Sequence, residues 1–385
     1  MSAPTDAAVA VANALREDLR GQHAYGAPQL DVPVRLNTNE NSYAVPVPVA
    51  AAITAAVAAE AGDLNRYPDR EFTALREDLA AYLRGQTGVG ITADQVWAGN
   101  GSNEVLQHVV QAFAGPGRVA LGFTPAYSMH PIISRVVGTT WIDGARGSAT
   151  GAFDLTAESV VGQVRRHRPH VVFLCSPNNP TGTALPLGVV EAVLAAAPEV
   201  VVVVDEAYAE FARPGTPSAL TLLAEHPLLV VTRTMSKAFA LAGGRLGYLA
   251  AAPELVDALR LVRMPYHLSS PTQAIARAAL AHRGSLLAEV EAIKAQRDRL
   301  VDTLAAMGYD PVPSDANFVL FGGLTDAAAT WQALLDRGVL VRDVGIAHHL
   351  RVTAGTPQET TAFLDAMAAL PDTHRRTPVP EGACP

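Results

Sequence analysis

The chain has 385 residues, and at ~100–200 residues per domain two domains are expected. Apolar residues make up 49% of it and charged residues 17%, so the bulk of the chain can bury a core and is not intrinsically disordered. The net charge of −8, from 37 acidic against 29 basic residues, excludes the basic surface that a nucleic-acid backbone requires. Any anionic ligand must therefore meet a local cationic pocket.

Residues 7–15 are apolar, but Asp6 stands where a secretory leader needs positive charge. Residues 1–45 read as an N-terminal arm. The uncharged run from Tyr43 to Ala59 is mostly Ala and Val and is interrupted by Pro46 and Pro48, a poor membrane span. Next, WAGNGSNEVLQHVVQAF predicts an amphipathic helix beginning near Ser102 behind a glycine turn. The β-branched runs Val119–Phe123, Val171–Cys175, Val200–Asp205 and Leu228–Thr234 predict buried strands separated mostly by helices. That alternation belongs to a mostly parallel α/β sheet with ligands at the carboxyl ends of its strands. This large domain is expected over 46–260. A long helix near 285–307, then short strands around a helix near 327–337, predict a smaller α+β domain over 261–370. The Pro-rich residues 371–385 are expected to be a flexible tail. Cys175 and Cys384 are the only cysteines, too few for a disulfide framework, and a reducing, cytoplasmic compartment follows.

Lys237 and Lys294 are the only lysines, so chemistry that needs a side-chain amine has two candidates. Lys237 directly follows the strand run LLVVTRT and lies between hydroxyls (Thr234, Ser236) and Arg245 behind Gly243–Gly244. A nucleophilic lysine needs nearby cations and partial burial, and hydroxyls beside a guanidinium suit a phosphate dianion. An amine and a phosphate cradle on one loop point to pyridoxal 5′-phosphate. That cofactor requires a carboxylate to keep its pyridine nitrogen protonated, and Asp205 ends a five-valine run; a helix N-cap is its plainer alternative. Tyr208 and Asn179, the latter in the turn-rich CSPNNPTG, can share the cofactor's ring oxygen. The glycines before Ser102 open a helix N-terminus, an anion site, although Glu104 occupies the third glycine position of a dinucleotide fingerprint. His108, His130 and His267 have no partner at metal spacing and are expected to be structural, so no metal is expected.

In order and spacing, RLNTNEN (35–41), NRYPD (65–69), GNGSNE (99–104), SPNNPTG (176–182), DEAY (205–208), TMSKAFALAGGRLGY (234–248), DANFVLF (315–321), VRDV (341–344) and LRVTAG (350–355) resemble the class II, fold-type I pyridoxal-phosphate-dependent aminotransferases. Among these they are similar to the histidinol-phosphate aminotransferase family. The likeness covers most of residues 20–370. It implies an α/β large domain with a mostly parallel sheet and a smaller α+β C-terminal domain. Lys237 would bond the cofactor aldehyde, Asp205 the pyridine nitrogen, and Asn179 and Tyr208 the ring oxygen, with Tyr127 on the ring face. Gly101 and Ser102 amides, Thr234, Ser236 and Arg245 would hold the phosphate, joined by Tyr67 from the other subunit of a homodimer. Arg351 and Arg342, with Tyr25 and Asn179, would bind a small phosphorylated amine and a 2-oxo acid. Two departures stand out: Ser42 replaces the usual proline after NEN, and AFALAGG replaces AYGLAG. An aromatic amino-acid aminotransferase and a pyridoxal-phosphate decarboxylase of a phosphorylated amino acid would use the same parts.

Overall fold

The computed structural model describes residues 6–22, 24–147, 153–376. Contacts divide the chain into two units, Met1–Leu30 and Asp31–Pro385. The described part of the first holds an exposed helix, Asp6–Ala14, and a short 3-10 turn, Glu17–Leu19.

The strands of the second unit are, in chain order, β1 (Val34–Arg35), β2 (Val96–Gly99), β3 (Val119–Thr124), β4 (Thr140–Ala145), β5 (Val171–Cys175), β6 (Val201–Asp205), β7 (Leu229–Thr234), β8 (Gly247–Ala250), β9 (Asp310–Pro311), β10 (Phe318–Gly322), β11 (Val339–Leu340) and β12 (Leu350–Thr353). A seven-stranded sheet runs β2-β8-β7-β6-β5-β3-β4. Its β3 to β7 core is parallel, and β8 is antiparallel to both neighbours. Continuous burial of β5, β6 and β7 is what a parallel sheet with both faces covered demands, and β-branched valines supply it. This is the α/β sheet that the alternating pattern predicted.

Winding reverses between β3 and β5, whose register pairs are only Ala120↔Val171 and Leu121↔Val172. Beyond them the two strands have no ladder, so a crevice opens at their carboxyl ends, the usual ligand position of such sheets. The carboxyl ends of β2, β3, β5, β6 and β7 and the start of β8 all lie along this edge.

A second sheet, β12-β10-β9, is antiparallel, and β1 pairs parallel with β11. Arg283–Ala306 and Pro357–Ala368 contribute buried apolar faces here. Residues 371–376 include a 3-10 turn at Asp372–His374, and His374 accepts from the Thr325 amide at 3.0 Å. The remaining tail, with Cys384, lies outside the described residues. Among the described residues no helix is long and apolar enough to cross a membrane.

One close packing sets the edge. Gly247 opens β8 opposite Thr234, and a Cβ built on it would overlap the Ser102 amide and the Gly101 carbonyl carbon. The start of the Ser102–Phe113 helix therefore rests directly on β8. Gly247→Ala should lower stability by about 1–3 kcal/mol through overpacking. Gly162→Ala, in a helix with open space around its Cβ, should raise it by about 0.5–1 kcal/mol; denaturant unfolding of both reads the opposite signs.

Candidate active site

Gly101 takes φ +85° and caps the Ser102–Phe113 helix, whose first amides lack intrahelical partners and attract anions. A Cβ on Gly101 would overlap the guanidinium of Arg245, itself at φ +54° with Nη1 donating to the Ala242 carbonyl at 3.0 Å. Thr234 is opposite Gly247 in the β7–β8 ladder and so beside the same helix start. Its hydroxyl donates to Ser236 Oγ at 3.0 Å and accepts from the Ser236 amide at 3.1 Å. A helix N-terminus, two hydroxyls and a guanidinium thus converge on one cradle, which a side chain at position 101 would fill.

Lys237 follows immediately. Its Nζ donates to the Thr38 carbonyl at 3.0 Å. Burial, then the charges of Arg351 and Arg245, lower its pKa to about 8 against the opposite pull of Glu40. The amine that is ordinarily protonated far above neutrality acquires a neutral fraction near physiological pH.

Asp205 ends β6 and is 1% exposed. A buried carboxylate needs donors, and it has two: Thr232 Oγ1 to Oδ1 at 3.0 Å and His130 Nε2 to Oδ2 at 3.0 Å. Thr232 comes from the neighbouring strand in register with Asp205. His130 lies in the first turn of the helix after β3 and stacks on Phe173 at 4.7 Å. The N-cap alternative for Asp205 is not what the structure contains: Tyr208, not Asp205, precedes the next turn, Ala209–Phe211. His130, expected to be merely structural, holds this carboxylate. On the opposite side of the strands, Arg233 is bridged to Glu206 at 2.7 Å and Glu210 at 3.1 Å, all buried.

Tyr208 is buried, and burial, partly countered by the Arg351 charge, pushes its phenol up to about 12. Its hydroxyl lies 3.5 Å from Asn179 Nδ2 and 3.1 Å from Asn39 Nδ2. Arg351, on β12, donates to Asn179 Oδ1 at 2.6 Å and to the Asn37 carbonyl at 2.7 Å, and stands over the Phe318 ring at 5.1 Å. Segment 37–39 therefore runs between Arg351 on β12 and Tyr208 and Lys237 in the loops beyond β6 and β7. Arg342 exchanges backbone hydrogen bonds with Arg351 at 3.0 and 2.9 Å, so the two side chains leave one face of the pair. Tyr127 follows β3, donates to Asn103 Oδ1 at 3.2 Å and sets its ring edge-on to His130 at 5.4 Å.

Of the remaining predicted residues, Tyr67 stands apart from this cluster. It is 79% exposed and stacks on Tyr266 at 4.4 Å. Tyr25 belongs to the Met1–Leu30 unit and is exposed. Asn39, Thr353, Thr232 and His130 join the cluster although no sequence feature singled them out as site residues. Asn39 lies in the quoted motif RLNTNEN and Thr353 in LRVTAG. Among the described residues no group of His, Cys, Asp or Glu is placed to hold a metal ion.

The donor set fits the cofactor expected from the sequence. The glycine-floored cradle suits a phosphate, the buried carboxylate of Asp205 suits a protonated ring nitrogen, and Lys237 offers an amine with a lowered pKa.

Residues 32–367 match the family described as aminotransferase class I and II. The chain is 62% identical over 360 residues, 93% of its length and 95% of the relative's, to the histidinol-phosphate aminotransferase of Paenarthrobacter aurescens. It is 61% identical over 356 residues, 92% and 89% of the two chains, to that of Frankia casuarinae. Among solved structures, the histidinol-phosphate aminotransferase of Sinorhizobium meliloti in complex with pyridoxal-5′-phosphate superposes with a TM-score of 0.77 at 26% identity, covering 89% of this chain and 91% of that one. The aspartate aminotransferase of Thermus thermophilus with maleate gives 0.75 at 26% identity, covering 88% and 91%. With lysine, aspartate, tyrosine and asparagine gathered on the carboxyl edge of such a sheet, the chain belongs to the class I and II aminotransferase family.

Proposed function

We propose that this protein transfers the amino group of L-histidinol phosphate to 2-oxoglutarate, forming imidazole-acetol phosphate and glutamate in histidine biosynthesis, with pyridoxal 5′-phosphate as its cofactor. The observation that carries the substrate choice is the 53–62% identity, over more than nine tenths of the chain, to enzymes bearing that name. A cytoplasmic location fits the free, buried thiol of Cys175.

When bound, pyridoxal phosphate supplies an aldehyde for amines and a cationic ring that accepts the electron pair released at the substrate Cα. Gly101, Ser102, Thr234, Ser236 and Arg245 hold its phosphate. Asp205, fixed by His130 and Thr232, holds a proton on the ring nitrogen. Asn179 and Tyr208 would bind the ring oxygen and Tyr127 would cover the ring. Lys237 would hold the cofactor's aldehyde end, and its neutral Nζ would take the substrate Cα proton as general base. Arg351 and Arg342 bind the anionic end of the substrate, the phosphate of one and the carboxylate of the other, aided by Tyr25. The same residues run the second half-reaction in reverse.

We further propose a homodimer in which Tyr67 serves the neighbouring subunit's phosphate cradle. The exposed apolar side chains Leu64, Tyr67, Leu261 and Met264 support it, because the Tyr67–Tyr266 stack brings their two segments together into a patch that solvent disfavours.

A substrate panel tests the reaction: kcat/KM should favour histidinol phosphate over phenylalanine, and a clear preference for phenylalanine would replace the assignment by an aromatic aminotransferase. For the amine, borohydride reduction of the holoenzyme should fix the cofactor to the peptide containing Lys237; visible cofactor absorbance should vanish in Lys237→Ala and persist in Lys294→Ala. Because only the neutral amine attacks, uptake of pyridoxal phosphate by the cofactor-free protein should quicken with pH and level off above about 8. A rate still climbing steeply toward the usual lysine range would show an unperturbed amine. Light scattering should give twice the 40.3 kDa chain mass; a monomer at assay concentration would remove the role of Tyr67.

A further inference from the structure

The proposed contact between Tyr208 and the cofactor's ring oxygen has a direction, and residues outside the proposed set decide it. A tyrosine hydroxyl has one hydrogen to give and two lone pairs that accept. Arg351 carries donors only, and its Nη1 lies 2.6 Å from Asn179 Oδ1, so the end of Asn179 that faces Tyr208 is its NH2 group, at 3.5 Å. Asn39 is arranged alike. Thr353 Oγ1 donates to Asn39 Oδ1 at 3.1 Å, which turns Asn39 Nδ2 toward the Tyr208 hydroxyl at 3.1 Å. With donors on both lone pairs, the hydroxyl hydrogen of Tyr208 is left for an acceptor within the site.

Asn39 is well held for this task. It is 1% exposed, its amide donates to Thr353 Oγ1 at 3.0 Å, and its carbonyl accepts from Asn317 Nδ2 at 3.1 Å. Its φ of +55° is the left-handed region that asparagine and aspartate tolerate better than other side chains with a Cβ. Were the amide turned over, the Thr353 hydrogen would lose its acceptor, and Asn39 Oδ1 would take the hydrogen of Tyr208 for itself.

We propose that Asn39, oriented by Thr353, is a positioning residue that aims the Tyr208 hydroxyl hydrogen at the cofactor's ring oxygen. This rests on the pyridoxal-phosphate reading above. A donor aimed at that oxygen stabilises its anionic form and lowers the pH at which the bound cofactor's visible absorbance titrates. Asn39→Asp replaces the donor by a carboxylate that only accepts, at a position whose backbone aspartate can adopt.

The experiment is a pH titration of the visible absorbance of the holoenzyme. Asn39→Asp should raise the midpoint by about one pH unit, a tenfold change in the proton equilibrium. Added negative charge alone would also raise it, so the substitution is repeated in Tyr208→Phe, where no hydroxyl remains to be misdirected. There the effect of Asn39→Asp should fall to less than half, a coupling that a double-mutant cycle isolates. The uncharged Thr353→Val should move the midpoint upward too, while Thr353→Ser titrates like the parent; this pair carries the test if Asn39→Asp does not fold. Equal shifts from Asn39→Asp with and without the Tyr208 hydroxyl, or unmoved midpoints in both Asn39→Asp and Thr353→Val, would overturn the role of Asn39 alone. A parent protein with no visible cofactor absorbance would instead overturn the cofactor reading, and the role of Asn39 with it.

Discussion

Everything at this site is arranged around one buried carboxylate. Asp205 closes a strand of four valines, β6, at the middle of a sheet whose central strands are covered on both faces. Removing a carboxylate from water is costly unless donors replace the lost solvent. The donors come from both sides of it in the fold: Thr232 from the adjoining strand, in register, and His130 from the helix after β3. Register and helix placement therefore set the acid's position, and with it where a protonated ring nitrogen would sit. The Arg233–Glu206–Glu210 bridges on the reverse side clamp the same strand ends, so the edge is braced from both faces.

The second constraint is the threading of residues 37–39. Their backbone carbonyls accept from Arg351, Lys237 and Asn317, and the Asn39 side chain reaches Tyr208. Groups that would meet the substrate's anion and groups that would meet the cofactor are thus bonded to one short segment. β1, just before it, pairs with β11 and anchors the segment to the C-terminal part of the chain. Binding at the arginines and chemistry at the lysine share a mechanical link without touching each other.

Strand positions, the helix start at Ser102 and the lysine loop were legible because each has a local cause. Valine runs prefer a pleated, two-sided burial, and glycine before Ser102 permits the backbone turn that opens the helix. Strands β4 and β8 had no such mark: TWIDGA and GYLA carry glycine, which weakens the local preference, and they form because the sheet supplies partners. Asp205, Tyr208 and Asn179 were legible as chemistry-bearing residues at or just beyond strand ends, whereas Arg351 was legible only through the family resemblance. His130 was legible only as a histidine in a helix, because its partner lies 75 residues away.

The sequence alone determined which functional groups are available: one amine in a hydroxyl-rich loop, one acid behind a valine strand, a glycine-opened helix, and paired arginines near the C-terminus. These follow from residue type and short spacing, where local sterics and polarity decide. Tertiary structure alone decided how they act on one another. The lowered pKa of Lys237 depends on burial and on Arg351, over a hundred positions away in the chain. The direction of the Tyr208 hydrogen bond depends on an asparagine and a threonine 314 residues apart. Hydrogen-bond direction and desolvation belong to a three-dimensional neighbourhood, and no local window of the chain contains one.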